Sequence, residues 1–283
     1  MTFGVQSEEL EPLEWLNSRY MAIFGSNILA TRLPDAHFLV EARNRGAKLV
    51  VFDPNYSPTA AKADEWVYLK PSSDAALALG MARVMVEEKL YDEEFIKTYT
   101  DLPLLVRLDN HKRLKAEEVQ GLTRPEDVPP YREAFVAYNG RFLAVHPEKL
   151  ELPLDVSLEG ELEVELKSGE RVKVKPVFQL LKESLQEYTP EYVEQETGVP
   201  QKTMVRLARE MATTKPLHII YGASNYQWYH GDLKGRAVAL LAVLTGNIGK
   251  PGAGISTYAG QYRVRLNLSS WWVPEGKKQN WLP

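Results

Sequence analysis

The sequence predicts an α/β fold: a Rossmann-like parallel sheet flanked by helices, with an irregular and β-hairpin segment inserted into it. Short apolar runs end in turn residues at Gly25, Asp53 and Gly222. Helical stretches follow these turns. The alternation stops over a charged, proline-rich middle and then resumes. Strands alternating with helices pack as a parallel sheet with helices on its faces.

The elements follow in order. Tyr20 to Phe24 reads as a strand that feeds the loop Gly25-Ser26-Asn27. Pro34 opens a helix to Arg45 and Gly46 closes it, with proline just inside the start and glycine just past the end. Lys48 to Phe52 is a second strand ending at Asp53-Pro54, and a turn of helix falls at Thr59 to Ala63. Trp66 to Leu69 is a third strand. Asp74 suits the N-cap of a helix to Glu88, whose Leu77, Met81, Val84 and Met85 share one face.

From Leu102 to Pro153 the periodicity is weak. Leu162 to Val174 alternates around Ser168-Gly169 and reads as a hairpin. Thr189-Pro190 starts a helix that Gly198 ends, Gln201 to Ala212 is another, and Leu217 to Tyr221 is a strand. Asp232 to Leu244 is a helix with Leu233, Ala237, Leu240, Leu241 and Leu244 on one face. The chain therefore divides into a first α/β half (1–100), an insertion (101–185), a second α/β half (186–257) and a C-terminal arm (258–283). The arm carries Trp271, Trp272 and Trp281 and is expected to be loosely packed or docked on a second copy.

Composition narrows the function classes. A net charge of -4 gives no basic footprint for nucleic acid. No apolar run approaches the roughly 20 residues of a membrane span, and Met1 to Tyr20 shows no export pattern. The absence of cysteine excludes disulfides, thiolate zinc sites and a cysteine-ligated iron–sulfur cluster within these residues. It leaves the compartment open.

Ligands of an open parallel sheet bind beyond the carboxyl ends of the strands. The first such loop holds Gly25, Ser26 and Asn27, with Thr31 and Arg32 just beyond. Glycine lets backbone approach a ligand, Ser26, Asn27 and Thr31 can bond phosphate oxygens, and the following helix start favours anions. Asp53 before Pro54 suits ribose hydroxyls, and Asp74, after Ser73, can accept two N–H bonds from a guanine edge. In the fourth loop, Gly222 and Ala223 precede Asn225 and Gln227, which offer amides. Trp228 and Tyr229 offer flat faces, and His230 follows. A fifth loop holds Gly246-Asn247 and the glycines from 249 to 254. Each loop alone is equally an ordinary turn. Taken singly, Asp74 serves equally as a cap, Trp228 as core, and His230 as a satisfied structural histidine. Their joint placement at strand ends favours one binding site.

The run FGSNILATRLPDAHFLVEARNRGAKLVVFDPNYSPTAAKADEWVYLKPSSDAALAL resembles the central domain of the molybdopterin-guanine-dinucleotide oxidoreductases, the dimethyl sulfoxide reductase family. So does YGASNYQWYHGDLKGRAVALLAVLTGNIGKPGAGISTYAGQ. The TRLPDAHF, NYQWYHGD and YAGQ elements look most like the respiratory nitrate reductase alpha-subunit branch. The resemblance is weakest from Leu102 to Leu180. The family's Gly-Thr-Asp loop reads Ser72-Ser73-Asp74 here, which keeps the carboxylate and replaces the glycine.

The resemblance implies an α/β domain that cradles one molybdopterin guanine dinucleotide of a pair on molybdenum. It also implies an iron–sulfur domain and a molybdenum-binding aspartate before this segment, and a cap domain after Pro283. Partners would be those remaining domains and an iron–sulfur electron-transfer subunit, at the cytoplasmic face of the membrane or in the periplasm. On this view the segment supplies cofactor-binding residues, no catalytic or metal-ligating residue and no iron–sulfur cluster of its own, and is inactive alone as a reductase. Two other classes stay open. One is a nicotinamide dehydrogenase, although no G-x-G-x-x-G follows the first strand. The other is a non-catalytic nucleotide-binding or interaction module.

Overall fold

The computed structural model describes residues 10–147, 152–223 and 227–257. The C-terminal arm and its tryptophans lie outside them. The main sheet has five parallel strands: β1 (Tyr20–Phe24), β2 (Lys48–Phe52), β3 (Glu65–Val67), β9 (Leu217–Tyr221) and β10 (Gly254–Ser256), in the order β10-β9-β1-β2-β3. Both central strands, β1 and β9, are buried along their whole length. This is why they read as continuous apolar runs rather than alternating ones.

Period-two geometry sends alternate side chains to opposite faces. Tyr20, Ala22, Phe24, Val50, Phe52, Ile219 and Tyr221 join one core. They share it with α3 (Asp74–Glu87), α7 (Gln201–Thr213) and α8 (Gly231–Leu244). Met21, Ile23, Leu49, Val51 and Ile220 join a second core under α2 (Leu33–Asn44), with Trp15. A single turn, α1 (Ile28–Thr31), precedes α2. The result is a three-layer α/β/α arrangement.

Between α4 (Glu93–Tyr99) and α5 (Val177–Ser184) the chain leaves this frame. The hairpin expected at 162–174 is present as β7 (Leu162–Glu165) and β8 (Arg171–Pro176). Gly169 sits at the turn with φ +84°. β4 (Leu105–Arg107) adds antiparallel to β8, and β5 (Phe135–Tyr138) pairs with β6 (Phe142–Val145). This excursion has its own apolar clusters, built on Leu105, Leu114, Val136, Val164, Val174 and neighbours. The chain returns to the frame through α6 (Pro190–Thr197), which Thr189 caps through Tyr192 N–H and Gly198 closes in the left-handed region.

Several expectations need correction. The 102–153 stretch holds three short strands, too short to declare a period. The helices α4 and α5 and the strand β10 were not expected. Asp74 is the first residue of α3, whose N-cap is Ser73, and no side chain caps that helix. β3 ends at Val67 rather than Leu69. Leu233 is half exposed rather than on the buried face of α8.

Candidate functional site

The carboxyl ends of β1, β2 and β9 and the loop before α3 open on one cavity of about 930 Å³. Gly25, Ser26, Asn27, Thr31 and Arg32 line it from the first loop, and Asp53 and Pro54 from the second. Asp74 lines it from the start of α3, and Gly222, Ala223 and Trp228 from the loop after β9. Asp53 and Asp74 thus face the same space.

The floor is bare backbone. Gly25 has φ +55°, where a side chain is strained. Its N–H donates to Phe52 O at 3.0 Å, and Gly222 N–H donates to Phe24 O at 2.8 Å. A Cβ on Gly222 would lie 2.0 Å from Gly25 O and 2.6 Å from Gly25 C. The two strand-end turns therefore touch through backbone.

The first loop is tied to the segment that follows β2. Asn27 Oδ1 accepts from Thr59 Oγ1 at 2.9 Å, and Thr59 Oγ1 accepts from Leu29 N–H at 3.0 Å. Thr31 donates its hydroxyl proton to Asn27 O at 2.9 Å, so in this arrangement it has none for a phosphate oxygen. The helix that follows is one turn long, and the charge here is that of Arg32, not a helix dipole. Arg32 donates to Asp35 Oδ2 from Nε at 2.9 Å and Nη2 at 2.7 Å, and its guanidinium lies 5.2 Å from the centre of the Trp15 ring.

The two carboxylates sit in low-dielectric surroundings. Burial pushes the Asp53 carboxyl above its ordinary value, opposed by a hydrogen bond from Asn55 N–H at 2.8 Å. Trp66 Nε1 donates to Asp53 O at 2.9 Å and braces the turn. Asp74 is 4% exposed. Burial lifts its carboxyl too, its own backbone N–H and the Lys234 charge pull it back, and Asp53 adds to the lift. Lys234, in the first turn of α8, donates to Ser72 Oγ at 3.2 Å and lies 5.7 Å from the centre of the Trp228 ring.

Other expected residues are placed differently. Ser73 lies beside the cavity and donates its hydroxyl to Lys70 O at 2.7 Å. Gln227 and His230 are exposed and do not line it. His230 caps α8 with φ +55°. Asn225 lies outside the described residues. Trp228 is 53% exposed and is not core. In the fifth loop, Asn247 is buried and accepts from Leu217 N–H at 2.9 Å, at the opposite end of β9 from the cavity, so its part is structural.

The sequence reading placed Ser72 in the third loop and missed Lys70, Tyr221 and Thr257 in the lining, and Lys234 beside Ser72. A signal for Lys234 existed: it falls on the helical stripe of the buried Val238, Leu241 and Thr245, where a lysine is out of place.

The family model described as molybdopterin oxidoreductase matches residues 4–273. The perchlorate reductase subunit alpha of Dechloromonas aromatica is 39% identical over 97% of the chain. The respiratory nitrate reductase subunit alpha of Haloferax mediterranei is 39% identical over 93% of it. The Escherichia coli respiratory nitrate reductase 1 alpha chain is 28% identical over 99%. The chain spans only 28–32% of the length of these three relatives. Among solved structures, acetylene hydratase from Pelobacter acetylenicus matches with a TM-score of 0.51 and 22% identity over 86% of the chain and 24% of its own, a likeness of fold.

Proposed function

The chain belongs to the molybdopterin oxidoreductase family, and from that premise we propose that its cavity cradles the dinucleotide arm of a molybdopterin guanine dinucleotide. The observation that carries this reading is the convergence of three strand ends and the Asp74 loop on one cavity of about 930 Å³ floored by Gly25 and Gly222. Pockets of roughly 300–1,000 Å³ suit ligands of this class.

The donor set fits the group. The bare backbone of Gly25 and Gly222, with Ala223, admits a pyrophosphate. Ser26, Asn27 and Arg32 offer donors to it, and Thr31 shapes their loop. Asp53, held beside Pro54, accepts from ribose hydroxyls. Asp74, supported by Ser73, accepts guanine N–H groups, and Trp228 offers a flat face. Gln227 and His230 follow the Ala223 end of the lining and, like Asn225, are assigned to the same ligand by their loop alone. When bound, the cofactor supplies molybdenum on pterin dithiolenes, and the chain binds and orients it and excludes water.

The reaction we infer for the whole subunit is reduction of an oxyanion such as nitrate or perchlorate, because relatives with those names are 39% identical. Those relatives are alpha subunits, so we infer further domains and an iron–sulfur electron-transfer subunit as partners. Calorimetry with guanosine and adenosine diphosphates tests the cradle. A lone cradle should bind guanosine diphosphate with Kd on the order of 10 micromolar to millimolar. Asp74→Ala should weaken it by roughly 1–3 kcal/mol. Equal affinity for both nucleotides would remove the guanine-reading role, and preference for a nicotinamide dinucleotide would favour a dehydrogenase site.

A further inference from the structure

Lys234 is held where a cation is least welcome. It is 5% exposed. It stands in the first turn of α8, whose N-terminal dipole disfavours positive charge. Lysine is almost never this buried without a partner. Yet among the described residues its ammonium, with three donors, has one hydrogen bond, to the Ser72 hydroxyl at 3.2 Å. The Trp228 ring, centred 5.7 Å away, adds a modest cation–π attraction.

Ser72 itself sits at φ +72°, a conformation that disfavours any side chain. Ser72, Trp228 and Asp74 all line the cavity, and Lys234 touches the first two. A strained serine and a flat ring of the lining thus hold a buried ammonium, and the carboxylate two residues beyond that serine is Asp74.

We propose that Lys234 is a specificity-determining positioning residue: gripped between Ser72 and Trp228, it is the counter-charge that makes Asp74 the acceptor for a base presenting two N–H groups on one edge. This rests on the reading of Asp74 as the guanine acceptor. The groups that act on the Asp74 carboxylate are Lys234 from α8, Asp53 from the end of β2 and the N–H of Asp74 in α3. Lys234 is the only side chain among them that favours the ionised form. Burial holds the carboxyl above its ordinary value even with Lys234 present, and without it the carboxyl rises further. Nucleotide binding that needs the carboxylate then fails at a higher pH.

The test is calorimetric titration of the full chain with guanosine and adenosine diphosphates from neutral pH down through the acid range. Lys234→Met keeps the buried stem and removes the charge, and Lys234→Arg keeps the charge. For Lys234→Met we expect a loss of guanosine diphosphate affinity that grows to about tenfold on the acid side of the binding midpoint and vanishes well above it. We also expect the acid midpoint of binding to move up, with adenosine diphosphate affinity unchanged. Lys234→Arg should return the midpoint toward wild type.

Equal loss for both nucleotides with an unmoved midpoint would mean a packing role and overturn the proposal, as would an unchanged Lys234→Met. Should Lys234→Met fail to fold, Lys234→Gln is compared with Lys234→Arg, and equal acid midpoints for the two overturn the proposal. Wild-type chain that binds both nucleotides alike overturns the guanine reading first, and this inference with it.

Discussion

Asp53, at the end of β2, raises the proton affinity of Asp74, at the start of α3, across the cavity that both line. Removing the first charge must therefore make the second easier to ionise. Asp53→Asn should shift the acid midpoint of guanosine diphosphate binding to lower pH, opposite to the shift expected for Lys234→Met. Calorimetry across the acid range reads it. A midpoint that stays put would mean that the two carboxylates are electrostatically independent.

The contact between Gly222 and Gly25 predicts a large effect from one methyl group. Gly222→Ala puts Cβ against backbone that cannot rotate away. We expect a loss of about 2–4 kcal/mol in stability and of measurable nucleotide binding. Gly46→Ala is the control, since Gly46 has φ +97° but open space around it. It should cost about 1 kcal/mol and leave binding intact. Urea denaturation compares them.

Ser72 allows its strain to be separated from its hydrogen bond. Ser72→Ala loses the hydroxyl that Lys234 uses and keeps the unfavourable φ. Ser72→Gly loses the same hydroxyl and relieves the backbone. The glycine variant should be the more stable of the two by about 1 kcal/mol. Thermal melts that rank them the other way would show that the left-handed conformation at this site stores no strain.

His218 makes the fold sensitive to acid. It is fully buried on β9 with Nε2 2.9 Å from Ser256 Oγ, and burial, with the Arg32 charge, pushes it down to about 3. The unfolded chain takes up the proton near pH 6.5, while the folded chain holds out until about pH 3. The unfolded state thus binds more protons between those values, and stability falls as pH falls through that window. Between pH 6.5 and pH 5 wild type should lose about 2 kcal/mol that a His218→Gln chain does not. Urea midpoints at the two pH values check it.

The sheet was legible because its local signals agree with its tertiary role. β1, β2 and β9 begin and end where their apolar runs do, and α6 is bounded by the Thr189 cap and Gly198. The cavity lining was legible wherever it follows directly from a strand end, as at Gly25, Asp53 and Gly222. What was not legible depends on long-range partners. Strands of three or four residues in the excursion carry no period and are defined by pairing, as β4 is by β8. Lys234 stands out on the apolar stripe of α8, but its partner Ser72 lies 162 residues away and only the fold brings the two together. Thr31 looks like a phosphate donor until its proton is seen bound to Asn27 O.

The pairing of β1 with β9 has a consequence for how the chain comes into being. A ribosome releases Gly25 well before Gly222, with most of the described chain between them. Until then β1 has β2 beside it and an open edge on its other side, and half the cavity floor is missing. Loop closure over so long a span is slow, and an open apolar edge is prone to pairing with other chains. The excursion from β4 to β8, with its own apolar clusters, emerges in between and can compact by itself. The nascent first half therefore waits with an exposed edge, making it a candidate client for a chaperone or an early ligand that bridges β1 and β2.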